Sequence, residues 1–350
     1  MVDLKQRLLE ILYRLGNEGD YVGVAIAINP DTSPAAVWLP SWQPSEPIFL
    51  AYSITKTFTA ALLLLLQEEG RLSLHDPLAR WLPAITQSDR ISLTQLLNHT
   101  SGIPDYGALQ TYQDGVRSSP SIPWSFEQFA AATFDQGLSF APGTRWAYSN
   151  PGYMLLKHIA EAVTGESYAQ LIADRIAQPL GLHQTFVPQS VADLSSLAPA
   201  LSYDLTSDRH PKDVRHAYHP GWVSHGVVAS TPSDIVLFLH QLFGGRLLPQ
   251  QCLEEMTALV PVPLPRPTQS PASAPPRWVQ PGYGLGLMGD SASPWGLILG
   301  HNGGGPGYST SVFHAPELGG ISVCAMGAIE ARFQAEEVVF AVFDSLKADS

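Results

Sequence analysis

Leu4, Leu8, Leu9, Ile11, Leu12 and Leu15 recur at helical spacing among Asp3, Lys5, Arg7, Glu10 and Arg14, which predicts an amphipathic helix within Met1–Asp20. Val22 to Ile28, the turn Asn29-Pro30-Asp31, and Ala35 to Leu39 then predict a β-hairpin. Near the other end, Gly282 to Met288, Gly296 to Gly300, Gly307 to Phe313 and Ile321 to Met326 are short, glycine-punctuated and rich in β-formers, and Arg332 to Lys347 reads as a closing helix. The middle has a different period. The run from Thr57 through Leu66 has the composition of a buried helix, and Ser125 to Phe134, Pro151 to Val163, Tyr168 to Ile176 and Ser233 to Phe243 follow helical patterns.

Both ends are therefore expected to build one antiparallel sheet flanked by helices, from about 1–50 and 282–350, with a mostly helical lobe and loops inserted over about 53–281. This is an α/β fold of the α+β kind, read as a single catalytic domain spanning 1–350. Residues 261 to 281 carry many prolines, each of which removes a backbone donor and fixes φ, so a loop is expected there. With 107–124 and 201–226, that segment is expected to shape any pocket as a loop.

Composition narrows the function. The chain has 350 residues, 45% hydrophobic and 14% charged, enough for a large core. Its net charge of −12 and its five lysines argue against nucleic-acid or anionic-membrane partners. The charged N-terminal helix lacks the apolar core of a signal peptide, and the apolar run Ala60 to Leu66 is far short of the roughly 20 residues a bilayer requires. A cytoplasmic protein without membrane insertion is expected. Cys252 and Cys324 form no Cys-x-x-Cys, which fits a reducing compartment.

The chemistry starts at Ser53-Ile54-Thr55-Lys56, the one Ser-x-x-Lys in the chain, placed at the start of the buried helix after the extended stretch Pro47 to Tyr52. Residues three apart on a helix share a face, so Lys56 can reach Ser53, and burial lowers a lysine's pKa until it acts as a base near neutrality. Such a motif arises by chance at about this frequency, so context decides. Tyr148-Ser149-Asn150, the one Tyr-x-Asn, adds a phenol that can relay protons and an amide that can hold a substrate carbonyl. A protonated lysine nearby is expected to lower the Tyr148 pKa, letting the phenol take the serine proton. Taken alone, Tyr148 reads as a turn residue before Pro151.

His210, His216, His219 and His225, with Asp208 and Asp213, suggest a metal, but the spacing fits no zinc pattern and a solvated loop lining the cleft explains it equally well. His99 reads as a structural residue holding a turn. No Gly-x-Ser-x-Gly elbow is present.

Ser53-x-x-Lys56, Tyr148-x-Asn150, and the stretches Leu96 to Tyr106, Phe140 to Gly143 and Gly226 to Thr231 together resemble the class C β-lactamase and penicillin-binding-protein superfamily over nearly the whole chain. The resemblance implies a β-lactamase/transpeptidase-like fold and acyl transfer through an acyl-enzyme on Ser53. The chain departs from that pattern in having no Lys-Thr-Gly. His219-Pro220-Gly221 or His301-Asn302-Gly303 can take its place, and the second is chosen because strand-like segments flank it, as in relatives resembling esterases and D-aminopeptidases. By the same resemblance, the N–H groups of Ser53 and Gly304 form an oxyanion hole.

The expected function is a serine hydrolase with Ser53, Lys56 and Tyr148 as catalytic residues and Asn150, His301, Gly303 and Gly304 around the substrate. It acts on esters or on D-amino-acid amides or short peptides, with no metal and no cofactor. A β-lactamase or DD-carboxypeptidase-like enzyme is the alternative, and a catalytically idle scaffold of the same fold is another.

Overall fold

The computed structural model describes residues 2–15, 20–28, 32–208, 210–263, 277–328 and 334–348. Among these, eight strands form one antiparallel sheet: β1 (Val22–Ala27), β2 (Ala35–Leu39), β3 (Val260–Pro261), β4 (Pro281–Tyr283), β5 (Met288–Ser293), β6 (Gly296–Gly305), β7 (Tyr308–Ala315) and β8 (Ile321–Gly327), in the order β2-β1-β8-β7-β6-β5-β4-β3. Strands from the two ends of the chain pair as the second and third of the eight, where Val22 stands opposite Gly327 and Ala27 opposite Ser322. The hairpin β1-β2 and helix α1 (Val2–Leu15) form as expected, while the Asn29-Pro30-Asp31 turn lies outside the described residues.

Strand alternation sorts β1 between two cores. Val22, Val24 and Ile26 face α1 and the closing helix α5 (Ala335–Lys347), where Leu8, Leu12, Phe313, Val339 and Phe343 complete an apolar layer. Ala25 and Ala27 face the opposite way, into the larger core beneath α2 (Thr55–Glu68), α3 (Asn150–Thr164) and α4 (Pro232–Phe243). The small residues on that face allow close approach: a side chain on Gly23 would begin 2.9 Å from the Pro232 ring at the start of α4. α4 therefore packs on the sheet, although sequence position assigned it to the inserted lobe.

Three expected elements differ. Gly282 to Met288 is two strands with a bend between them, because Gly286 adopts φ +66° and lies so close to α2 that a Cβ there would sit 2.5 Å from the Lys56 carbonyl oxygen. The expected loop 107–124 contains a helix, Gln110–Ser118, with only Val116 of that helix fully buried. Its Gly115 breaks the helical pattern but lets the helix approach Trp222, whose ring would lie 2.9 Å from an added Cβ. Tyr168 to Ile176 begins as an α-helix through Ile172 and then widens into a π-helical turn at Ala173–Ala177.

Candidate active site

Ser53 sits in a single 3₁₀ turn, Tyr52–Ile54, immediately before α2. The turn is anchored on both sides. Ala51 N–H donates to the Val228 carbonyl at 2.8 Å, Thr310 Oγ1 donates to the Ala51 carbonyl at 3.1 Å, and the Tyr52 hydroxyl donates to the Pro306 carbonyl at 2.6 Å. Tyr52 is held at φ +46°, a left-handed conformation unusual for a side chain of this size. α2 is buried from Thr55 to Leu64, and its threonines find partners: Thr55 Oγ1 accepts from Val228 N–H at 2.9 Å and Thr57 Oγ1 donates to the Gly286 carbonyl at 2.7 Å.

Lys56, in the first turn of this helix, is fully buried, with Nζ 3.3 Å from Ser53 Oγ, 2.7 Å from Asn150 Oδ1 and 2.9 Å from His225 Nε2. Burial lowers its pKa well below the ordinary lysine value, and the Asp105 carboxylate opposes that shift. Tyr148 completes the cluster, its hydroxyl 2.8 Å from Ser53 Oγ. Here one expectation is corrected. The phenol's pKa is raised, because burial dominates and Asp105 adds to it, so Tyr148 is a neutral hydroxyl that holds its proton.

The segment carrying Tyr148 and Asn150 is fixed at the start of α3, where Ser149 Oγ accepts from Gly152 N–H as the N-cap. Asp105 Oδ1 accepts from Asn150 N–H at 2.8 Å. His99 is buried at φ +62°, accepts from Ser149 N–H at Nδ1 (3.1 Å), and through its carbonyl accepts from Ala147 N–H. It holds the turn that presents Tyr148, as the sequence suggested.

On the opposite wall, His301 lies on β6 with Nε2 2.8 Å from the Tyr283 hydroxyl and Nδ1 2.5 Å from the Asn302 carbonyl. Burial, with the nearby Lys56, pushes its pKa down to about 3, so it is neutral at physiological pH. Gly303 is where β6 presses on the nucleophile turn: a Cβ would stand 2.2 Å from the Ala51 carbonyl oxygen. Gly304 faces open space and borders a cavity with Ser53. The structure thus brings Ser53, Lys56, Tyr148, Asn150, His301, Gly303 and Gly304 to one cleft.

The histidine-rich stretch separates. His219 Nδ1 accepts from Gly221 N–H, Asp213 pairs with Arg215, and Asp208 caps its own turn. Among the described residues no three His, Cys, Asp or Glu side chains cluster as metal ligands. His225 alone enters the cleft. Sequence reasoning missed its contact with Lys56, as it missed Asp105 and Tyr283. The one available signal was that His225 directly precedes the Gly226 to Thr231 stretch.

The Lys56–His225 contact constrains protons. Asn150 Oδ1 can only accept, so one Nζ–H of a neutral Lys56 is committed to it. If His225 Nε2 accepts the second, the remaining lone pair is free for Ser53 Oγ–H. The proton on His225 is then at Nδ1, which is buried without a hydrogen-bond partner among the described residues. Burial and the Lys56 charge hold His225 well below its ordinary pKa, so it stays neutral.

Known proteins resemble this chain. It is 31% identical to penicillin-binding protein 4* of Bacillus subtilis (strain 168) over 275 residues, which are 75% of this chain and 57% of that protein. Penicillin-binding protein 4 of Amycolatopsis lactamdurans is 30% identical over 55% of this chain and 50% of its own length, so the chain spans about half the length of these relatives. Two solved structures cover it more fully: a D-stereospecific amidohydrolase from Streptomyces sp. (31% identity, TM-score 0.79, 96% of this chain and 98% of that one) and the D-amino acid amidase from Ochrobactrum anthropi SV3 complexed with L-phenylalanine amide (25%, TM-score 0.81, 99% of each). The Beta-lactamase family profile matches residues 10–343, and on that match, over a sheet and cleft of this kind, the chain belongs to the Beta-lactamase family.

Proposed function

We propose that the chain works as one catalytic unit, a serine hydrolase that cleaves uncharged carboxyl derivatives, D-amino-acid amides and esters foremost, through an acyl-enzyme on Ser53. The observation that carries this reading is Ser53 Oγ lying within 3.3 Å of a fully buried Lys56 and 2.8 Å of Tyr148. Neutral Lys56 takes the Ser53 proton as Oγ attacks the carbonyl carbon. The N–H groups of Ser53 and Gly304 hold the oxyanion, and Asn150 orients the acyl part. Tyr148 gives its proton to the leaving nitrogen or oxygen as it receives the one held by Lys56, so no tyrosinate accumulates, consistent with its raised pKa. Water then enters by the reverse sequence and releases the acid.

Two things favour amides and esters over β-lactams. The amidohydrolase and amidase structures match this chain over nearly all of both lengths. His301, neutral, stands where by the resemblance the penicillin-recognising pattern has a lysine, so that position offers a substrate carboxylate no cation. The penicillin-binding relatives keep a β-lactamase or carboxypeptidase as the second reading.

The test is a screen of D-alanine amide, p-nitrophenyl acetate and nitrocefin, with Ser53→Ala as the blank. The first two are expected to dominate in kcat/KM. His301→Lys is expected to shift preference toward nitrocefin by ~1–2 kcal/mol, a charge-assisted hydrogen bond. Lowering the pH to 6 does not mimic this, since His301 stays neutral there. Efficient nitrocefin turnover with little amidase or esterase activity overturns the reading, and failure of a fluorophosphonate to label Ser53 favours the scaffold.

A further inference from the structure

Two cavities of contrasting chemistry diverge from Ser53. One, about 320 Å³, is bordered by Tyr52, Asn150, Asp204, Gly304 and Gly305. The other, about 330 Å³, is bordered by Trp146, Tyr148, Trp278, Tyr283, Met288 and His301. Ser53 borders both; Asn150 borders only the first and Tyr148 only the second. A tetrahedral carbon on Ser53 Oγ, with its oxyanion at Gly304, has two substituents left, the acyl chain and the leaving group. The atom that Tyr148 protonates must lie within hydrogen-bond reach of its hydroxyl, so the leaving group occupies the Tyr148 side.

From this we propose that the second cavity is a leaving-group site for an uncharged apolar group, so that the substrates are N-alkyl, N-aralkyl or N-aryl amides, or the corresponding esters, of a short acyl unit. This deepens the hydrolase reading and rests on it. The walls are two indoles, two phenols, a thioether and the prolines Pro263 and Pro281, with His301 as the one titratable group besides the two tyrosines among the described residues. None of these offers a cation to a carboxylate-bearing amine, as a peptide's next residue would be. Size agrees. The cavity holds about ten times the ~30 Å³ share of one water, so the ammonia of a primary amide leaves it almost entirely to solvent.

The experiment compares D-alanine amides of methylamine, hexylamine and 6-aminohexanoate, whose amines have closely matched basicity, and of the less basic benzylamine. A parallel set of acetate esters uses methanol, hexanol and benzyl alcohol. All members of a series share one acyl-enzyme, so the leaving group affects kcat/KM through acylation while deacylation stays common. Hexyl and benzyl derivatives are expected to exceed methyl by ~10–100-fold in kcat/KM, with the 6-aminohexanoate amide losing most of that gain. Met288→Glu and Trp146→Ala, both on the second cavity, are expected to collapse the hexyl-to-methyl ratio toward one, whereas Gln113→Ala on the first leaves that ratio standing.

A flat series in an active enzyme overturns the leaving-group assignment and leaves the hydrolase reading intact. A hexyl-to-methyl ratio that collapses in Gln113→Ala and stands in Met288→Glu and Trp146→Ala reverses the assignment of the two cavities and also overturns it. If amides are inert, the ester series still decides the question. Inertness of both series overturns the hydrolase reading and this inference with it.

Discussion

His225→Phe isolates what a neutral imidazole does for Lys56. The ring occupies a fully enclosed site beside Nζ at 2.9 Å, and phenylalanine keeps the enclosure while removing the acceptor. A hydrogen bond to an ammonium contributes about 1.5–3 kcal/mol, and the bond the neutral amine makes to the same ring offsets about 1 kcal/mol of that. The net ~1–2 kcal/mol stabilises the protonated lysine. At 1.36 kcal/mol per pH unit, removing it moves the Lys56 ionisation about one pH unit lower. Lys56 works as a base only when neutral, so the acid limb of kcat/KM against pH moves down by the same amount. On the pH plateau kcat falls ~10–100-fold, because the second Nζ–H no longer fixes the lone pair toward Ser53. His225→Gln, which keeps an uncharged acceptor, is expected to recover part of both effects. The assay is a kcat and kcat/KM profile from pH 5 to 10 for the three proteins on one ester. Unchanged limbs and rates in His225→Phe refute the argument, and loss of the acid limb in His225→Gln refutes it differently by making His225 the titrating base.

Gly303→Ala is expected to lower Tm by about 3 °C or more, because its Cβ would meet the Ala51 carbonyl at 2.2 Å and Thr310 Oγ1 at 2.4 Å, whereas Gly304→Ala, with open space at that position, shifts Tm by no more than about 1 °C. Acid stability provides a further check through His314, which is buried against Ser322 with its pKa pushed down to about 3. The unfolded chain binds this proton near pH ~6.5 and the folded chain only near 3, so its contribution is complete above pH ~6.5 and falls by up to ~1.4 kcal/mol per pH unit below that. In urea titrations at pH 7 and 5, His314→Phe should show a smaller loss of stability between the two pH values than the parent. An equal loss removes His314 from the account.

The parts of the site that were legible in the sequence are those set by local spacing. Ser53 and Lys56 share a helical face, Tyr148 and Asn150 share one turn, and His301 is marked by its strand. His225 meets Lys56 across 169 residues of chain, and no local pattern encodes such a pairing. The direction of the Tyr148 shift was misread for a related reason: a neighbouring charge is visible in sequence, but the burial that outweighs it belongs to the assembled fold. The sheet was legible at both ends through alternation and glycines. The helix Gln110–Ser118 was not, because its glycine serves packing against a tryptophan about 100 residues away.

The pairing of Val22 with Gly327 has a temporal meaning. β1 pairs with β2 at once but is made about 300 residues before β8, its other partner, and closing so long a loop gains nothing until the final hairpins exist. The nucleophile turn is in the same position, since Thr310 and Pro306, which tie down Ala51 and Tyr52, are translated some 250 residues after it. Ser53 and Lys56 are therefore adjacent early but correctly held only late. On the ribosome the growing chain carries an unmatched β-edge and an unformed catalytic centre together, and both wait for strands β6 to β8.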